Sequence, residues 1–144
     1  MNNFITFFID KNLYALDSEK IIEIIRPQEI YPLPFVPQAI LGAIDYEGKI
    51  YSVLDGLFLI SNFVDIEVAK KSKSVVHTLL VLKHNEEDIC ISIDKVQSLL
   101  KAQLLTSSEE EKSFLGIIEV EENKIPVLDV EEIVRIERNC LGYK

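Results

Sequence analysis

The sequence predicts a mainly β fold built from two similar halves. Three observations carry this prediction. Short apolar runs alternate with turn-forming residues. The same order of runs occurs twice at one spacing. Ile, Leu and Val dominate an apolar set that contains no Trp.

Phe4 to Ile9 and Leu13 to Leu16 are apolar runs, and Asp10-Lys11-Asn12 between them is turn chemistry. Asp17-Ser18 then reads as a helix cap. Ile21, Ile24 and Ile25 follow at helical spacing, which predicts a short helix ended by Pro27. The stretch from Pro27 to Pro37 also holds Pro32 and Pro34. It reads as a rigid loop joining two strands, with a polyproline ligand for another domain as the alternative. In the second half, Val75 to Lys83 is a strand-like run and His84-Asn85-Glu86-Glu87 a turn. Ile89, Ile91 and Ile93 alternate, as a half-buried strand requires. Asp94 precedes Val96, Leu99 and Leu100, whose spacing fits either a short helix or a continued strand.

The closing portions match more closely. Leu41-Gly42-Ala43-Ile44-Asp45 parallels Leu115-Gly116-Ile117-Ile118-Glu119. Lys49 to Asp55 parallels Lys124 to Asp129, with one residue fewer in the second copy. Gly42 to Gly116 and Asp55 to Asp129 share one offset of 74 residues (116 − 42 and 129 − 55). Glu47-Gly48 and Glu122-Asn123 read as the two hairpin turns, since Gly and Asn tolerate positive φ. A unit of four or five short strands is too small for an open sheet with two solvated edges, so each is expected to curl into a small barrel. The expected division is one domain over 1–144, with halves of roughly 1–63 and 75–144 and a connecting loop at 64–74. Exchange of terminal elements between the halves is left open.

A chain of 144 residues buries roughly 70% of its unfolded surface, so it needs neither disulfide nor metal for stability. The formal net charge of −9 repels phosphate backbones, which argues against nucleic acid as a partner. The one basic cluster, Lys70-Lys71-Ser72-Lys73, reads as a solvated loop. Cys90 lies in an alternating apolar segment and reads as a small core residue, while Cys140 reads as a free thiol. No run approaches the ~20 apolar residues of a membrane span, and Met1-Asn2-Asn3-Phe4 does not resemble a secretory leader. A cytoplasmic location without direct membrane insertion is therefore expected.

No catalytic constellation is evident. His77 and His84 fall on different predicted elements and make a poor metal pair. Gly42 and Gly48-Lys49 mimic a phosphate loop, but the spacing is too long and Ile50 stands where a magnesium-binding hydroxyl belongs. The carboxylate runs Glu109-Glu110-Glu111 and Glu121-Glu122 sit on predicted turns and read as solvated surface. No catalytic, cofactor or metal residue is expected.

Pro37-Gln38-Ala39-Ile40-Leu41-Gly42-Ala43-Ile44, followed by Gly48-Lys49-Ile50-Tyr51-Ser52-Val53-Leu54-Asp55, resembles the CheW-like family. Tyr14-Ala15-Leu16-Asp17 and Ile21 to Ile25 fall where that family has an aromatic-x-apolar-Asp strand and a short helix. Leu115-Gly116 and Ile125 to Asp129 match as well. The resemblance implies two SH3-like five-stranded β-barrel subdomains with a few short helices. It also implies a non-enzymatic adaptor, without cofactor, that links the regulatory domain of a chemotaxis histidine kinase to the cytoplasmic tip of chemoreceptors. Such a protein is cytoplasmic and recruited to membrane receptor arrays. Carried over by residue, partner binding would involve Ile21, Gly42, Asp45, Tyr46, Glu47 and Gly48. One departure stands out. The family has Asn-x-Arg-Gly at this hairpin, whereas this chain has Asp45-Tyr46-Glu47-Gly48, which inverts the charge. A divergent module serving another kinase or motility pathway, or competing with the usual adaptor, is therefore the alternative.

Overall fold

The computed structural model describes residues 1–65, 77–85, 89–106 and 114–142. The Lys70-Lys71-Ser72-Lys73 cluster, most of the 64–74 connection, Glu86-Glu87 and Glu109-Glu110-Glu111 lie outside the described residues.

The strands in chain order are β1 (Asn2–Ile9), β2 (Asn12–Asp17), β3 (Ile21–Gln28), β4 (Ile40–Tyr46), β5 (Lys49–Leu54), β6 (His77–Leu82), β7 (Ile89–Ile93), β8 (Lys95–Ala102), β9 (Phe114–Val120) and β10 (Asn123–Leu128). Two helices join them, α1 (Gly56–Ser61) and α2 (Val130–Cys140). One five-stranded sheet, here sheet A, runs β8-β1-β2-β10-β9. The other, sheet B, runs β3-β6-β7-β5-β4. Moving every strand five places along the chain converts one order into the other. Each sheet therefore takes strands from both copies of the repeat: β1 and β2 join the later β8, β9 and β10, while β6 and β7 join the earlier β3, β4 and β5.

The hairpins form where the sequence places turn residues. Asp10 and Lys11 have φ of 51° and 70°, and Glu47 and Gly48 have 51° and 81°. Positive φ at both central residues gives the twist that right-handed strands accept. The third turn differs from expectation. Glu121 and Glu122 adopt φ of 49° and 70°, and Asn123 opens β10 as its first residue. The turn pairs thus keep the 74-residue offset, and the one-residue gap in the second copy disappears. β5 and β10 then share the same order of exposed and buried positions.

The helix expected over Ile21 to Ile25 is a strand. Asp17 does cap, but only a single 3₁₀ turn over Ser18–Lys20, and its side chain accepts from the Glu19 N–H. β3 follows at once and pairs with β6. Register shifts between Ile21 and Glu23, and between Ile25 and Gln28, interrupt the period of two. Bulges of this kind reproduce a near-helical spacing of apolar residues in an extended chain. β-branched Ile favours the strand, and pairing places Ile25 in the core. Pro27 is tolerated because β3 is an edge strand. The open alternative at Val96, Leu99 and Leu100 resolves as strand β8.

Both sheets curl through one device. After β3 the chain returns to the opposite edge, where Tyr31 and Ala43 exchange two backbone hydrogen bonds of 2.9 and 2.8 Å. After β8, Leu105 and Ile117 do the same at 2.8 and 2.9 Å. The two edges of each sheet are drawn together, giving half-barrels. The close approach requires glycine. A Cβ on Gly42 would lie 2.2 Å from the Tyr31 carbonyl oxygen, and one on Gly116 would lie 2.3 Å from that of Leu105.

Three apolar clusters fill the molecule. Phe4, Ala15, Ala102, Ile118, Ile125 and Val127 pack inside the curl of sheet A. Ile25, Ile44, Tyr51, Val53, Leu79, Val81 and Cys90 pack inside that of sheet B. The largest cluster lies between the sheets and includes Phe7, Leu16, Leu59, Ile60, Leu80, Ile91, Ile133 and Val134. Helices α1 and α2 seal it from opposite copies. Asp55 and Asp129 cap them by accepting from the Leu57 and Glu131 N–H groups.

Candidate partner-binding site

The six expected partner-facing residues fall in three places. Ile21 opens β3 and is half-buried against the core shared by the sheets. Gly42 lies buried within β4, where it admits the Tyr31 backbone. Asp45, Tyr46, Glu47 and Gly48 come together at the tip of the β4–β5 hairpin. Asp45, Glu47 and Gly48 are exposed, and Tyr46 is partly covered.

Sequence reasoning missed a partner of this hairpin. Because sheet B curls, its edge strands β3 and β4 meet at this end. The Tyr46 hydroxyl lies against the Glu23 carboxylate. Partial desolvation pushes the phenol pKa up, and Glu23 and Glu47 push it in the same direction. Nothing local links position 23 to position 46, so only the curl reveals the pair. The hairpin is thus tied to β3 and presents Asp45, Glu47 and Glu23 as an acidic end. Two exposed isoleucines, Ile22 on β3 and Ile50 on β5, accompany it. Lys49 lies over the Tyr51 ring, 5.7 Å from its centroid.

The rest of the chemistry is quiet. Among the described residues, no group of three or more His, Cys, Asp or Glu is placed to hold a metal ion. His84 Nε2 lies 3.0 Å from a Glu131 carboxylate oxygen, which joins the end of β6 to the first turn of α2. Cys90 is buried, and its thiol pKa is pushed up to about 12, first by burial and then by the charge of Glu137. Cys140 is half-buried and its thiol is raised by the same two causes. Neither thiol is an activated nucleophile.

The fold and this site define a class: a paired half-barrel protein with an acidic hairpin end on one of its sheets. The chain is similar to CheW-like proteins in sequence and in fold. Residues 3–62 match the CheW-like domain. The chain is 24% identical over 139 residues to the chemotaxis protein CheW of Helicobacter pylori, covering 92% of this chain and 81% of that one. Its fold is that of the scaffolding protein TtCheW from Thermoanaerobacter tengcongensis, with a TM-score of 0.68 at 21% identity over 89% of this chain and 88% of that one.

Proposed function

We propose that this chain is a non-catalytic chemotaxis scaffold that couples a histidine kinase to chemoreceptors. The β4–β5 hairpin is its partner-selecting element. The observation that carries this reading is the Asp45–Gly48 tip, held by Tyr46 and Glu23 at the mouth of a CheW-like half-barrel. Gly42 acts on the tip indirectly, by allowing the edges of sheet B to close. Ile21 sets where β3 begins on the shared core. Among the described residues no helix is long and apolar enough to cross a membrane, and recruitment to receptor arrays would come through the partners.

The charge of the tip favours one refinement. Glu47 stands where the family pattern has arginine, so the partner surface facing it carries a basic group. A kinase or motility component other than the usual one would satisfy this. Calorimetric titration with the regulatory domain of a chemotaxis kinase from the same organism tests the reading. Micromolar binding is expected, and Glu47→Arg should weaken it by about 3- to 10-fold, the usual scale for an exposed ion pair turned repulsive. No heat at high micromolar concentration would remove the coupling role. Unchanged binding by Glu47→Arg would remove the hairpin from the interface.

A further inference from the structure

The two half-barrels differ along one seam. In sheet B the parallel pair β5–β7 is laddered through Ser52↔Ile89, Val53↔Cys90 and Leu54↔Ile91. In sheet A the equivalent pair β10–β2 keeps a single pair, Val127↔Ala15. Pro126 occupies the position that Ser52 has in the other copy, and proline has no N–H to give. Beyond Val127 and Ala15 the ladder stops. A groove of about 520 Å³ lies there, with Leu13 and Tyr14 of β2 on one side and Lys124, Ile125 and Pro126 of β10 on the other.

The groove is cationic in an acidic protein. Its lining side chains include Lys11 and Lys124 and no carboxylate, although the chain carries −9 overall. A third ammonium, that of Lys95, lies 5.3 Å from the centroid of the Phe8 ring, which also lines the groove. The fold does not require every one of these lysines. Lys124 becomes Ile50 at the 74-residue offset of the closing hairpins, whereas Lys95 keeps a lysine, Lys20, at the 75-residue offset that the β1–β8 and β3–β6 registers give. Exposed carboxylates Asp10, Glu121 and Glu122 lie on the neighbouring turns, and the Asp10 charge acts on Tyr14 of the groove.

We infer that the open β2–β10 seam of sheet A is a docking groove for an extended, acidic and apolar peptide segment of a partner protein. The apolar floor takes alternate side chains, the lysines take the carboxylates between them, and strand backbone left unpaired across the seam takes the main chain. The groove is broad and open to solvent, which suits a segment lying across it rather than an enclosed small molecule. This site lies on the other half-barrel from the acidic hairpin and does not depend on the partner that hairpin takes.

The test is a ¹⁵N NMR titration of the full chain with a twelve-residue peptide alternating Leu and Glu. The expected result is saturable shifts at Lys11–Tyr14, Val64 and Lys124–Ile125 that weaken in 0.5 M salt. Lys11→Glu with Lys124→Glu should weaken binding by about tenfold, as two exposed charge reversals would. Lys20→Glu with Lys101→Glu, exposed positions elsewhere, should leave it unchanged. Pro126→Ser should also reduce binding, by restoring the donor that lets the seam zip. Equal shifts with a Leu/Lys peptide, shifts confined to other surfaces, or binding to anionic vesicles without peptide binding would each overturn the inference.

Discussion

Replacing Gly42 by alanine should be among the most damaging single-methyl additions in this protein. The new Cβ would lie 2.2 Å from the Tyr31 carbonyl oxygen and 2.8 Å from Ile30 Cγ2. The nearest obstacle is backbone and cannot rotate away. Relief requires the chain at Ile30 and Tyr31 to withdraw, which breaks both hydrogen bonds between Tyr31 and Ala43. Each contributes about 1 kcal/mol net. The backbone at Gly42, with φ +151°, adds strain of about 2 kcal/mol for a residue with a side chain. The reduced freedom of the unfolded chain returns about 0.7 kcal/mol. The net loss is about 3 kcal/mol, a large part of the ~5–15 kcal/mol that holds a domain together. The control is Gly48→Ala, where nothing lies within 4 Å of the added Cβ and only φ +81° is unfavourable. That change should cost about 1 kcal/mol. Urea unfolding followed by far-UV circular dichroism measures both. If Gly42→Ala cost no more than Gly48→Ala, the closure of sheet B by the Tyr31 bridge would not be a stabilising feature. Gly116→Ala should cost less, about 1 kcal/mol, because its Cβ meets the Leu105 carbonyl in the same way but its φ is not in the positive region; the two losses should add, since the bridges share no partner.

The helix caps should behave as a graded pair in the same assay. Asp55 is buried and Asp129 only partly so, hence Asp55→Ala should cost about 1–2 kcal/mol and Asp129→Ala about 1 kcal/mol; equal or negligible losses would mean that α1 and α2 are held by packing alone. The cysteines should be distinguished by thiol labelling at pH 8, with Cys140 reacting slowly and Cys90 only on unfolding. The folded chain keeps the Cys90 proton up to about 12, whereas the unfolded chain releases it near 9.0. Its contribution to stability is therefore full below pH 9 and is lost as pH rises toward 12. A Cys90→Ala variant with the same alkaline decline would assign that decline to other groups.

The sequence was readable where local chemistry decides the structure. Asp10-Lys11 and Glu47-Gly48 declare hairpins because few residues accept positive φ twice in succession. The repeat was readable because its spacing is constant from the turns to the caps. Elsewhere the deciding contacts are distant. Ile21, Ile24 and Ile25 sit at helical spacing only because bulges break the strand period, and those bulges depend on pairing with β6. α1 was hidden because Leu57-Phe58-Leu59-Ile60 is uniformly apolar and has no helical period. α2 does carry a signal, with Asp129 as a cap before Val130, Ile133 and Val134 at helical spacing. The Glu23–Tyr46 contact had no signal at all, since it exists only because sheet B closes on itself.

The duplication also explains how one small domain can offer two different surfaces. Core positions obey the repeat: Val53 and Val127, Leu54 and Leu128, and Ile44 and Ile118 are buried alike. Surface positions do not. Glu23 and Tyr46, which meet at the hairpin of sheet B, become Ser98 and Val120 in sheet A. Ser98 there meets the Thr6 hydroxyl at 2.8 Å, and Val120 has no hydroxyl to reach it. Ile50, exposed beside the acidic tip, becomes Lys124 in the groove. Packing tolerates few changes in a buried position, so the shared core holds both copies to one shape. Exposed positions cost little to change, usually within about 0.5 kcal/mol. Charge and seam geometry can therefore drift apart between the copies while the fold stays fixed. The result is an acidic end on one half-barrel and a lysine-lined groove on the other.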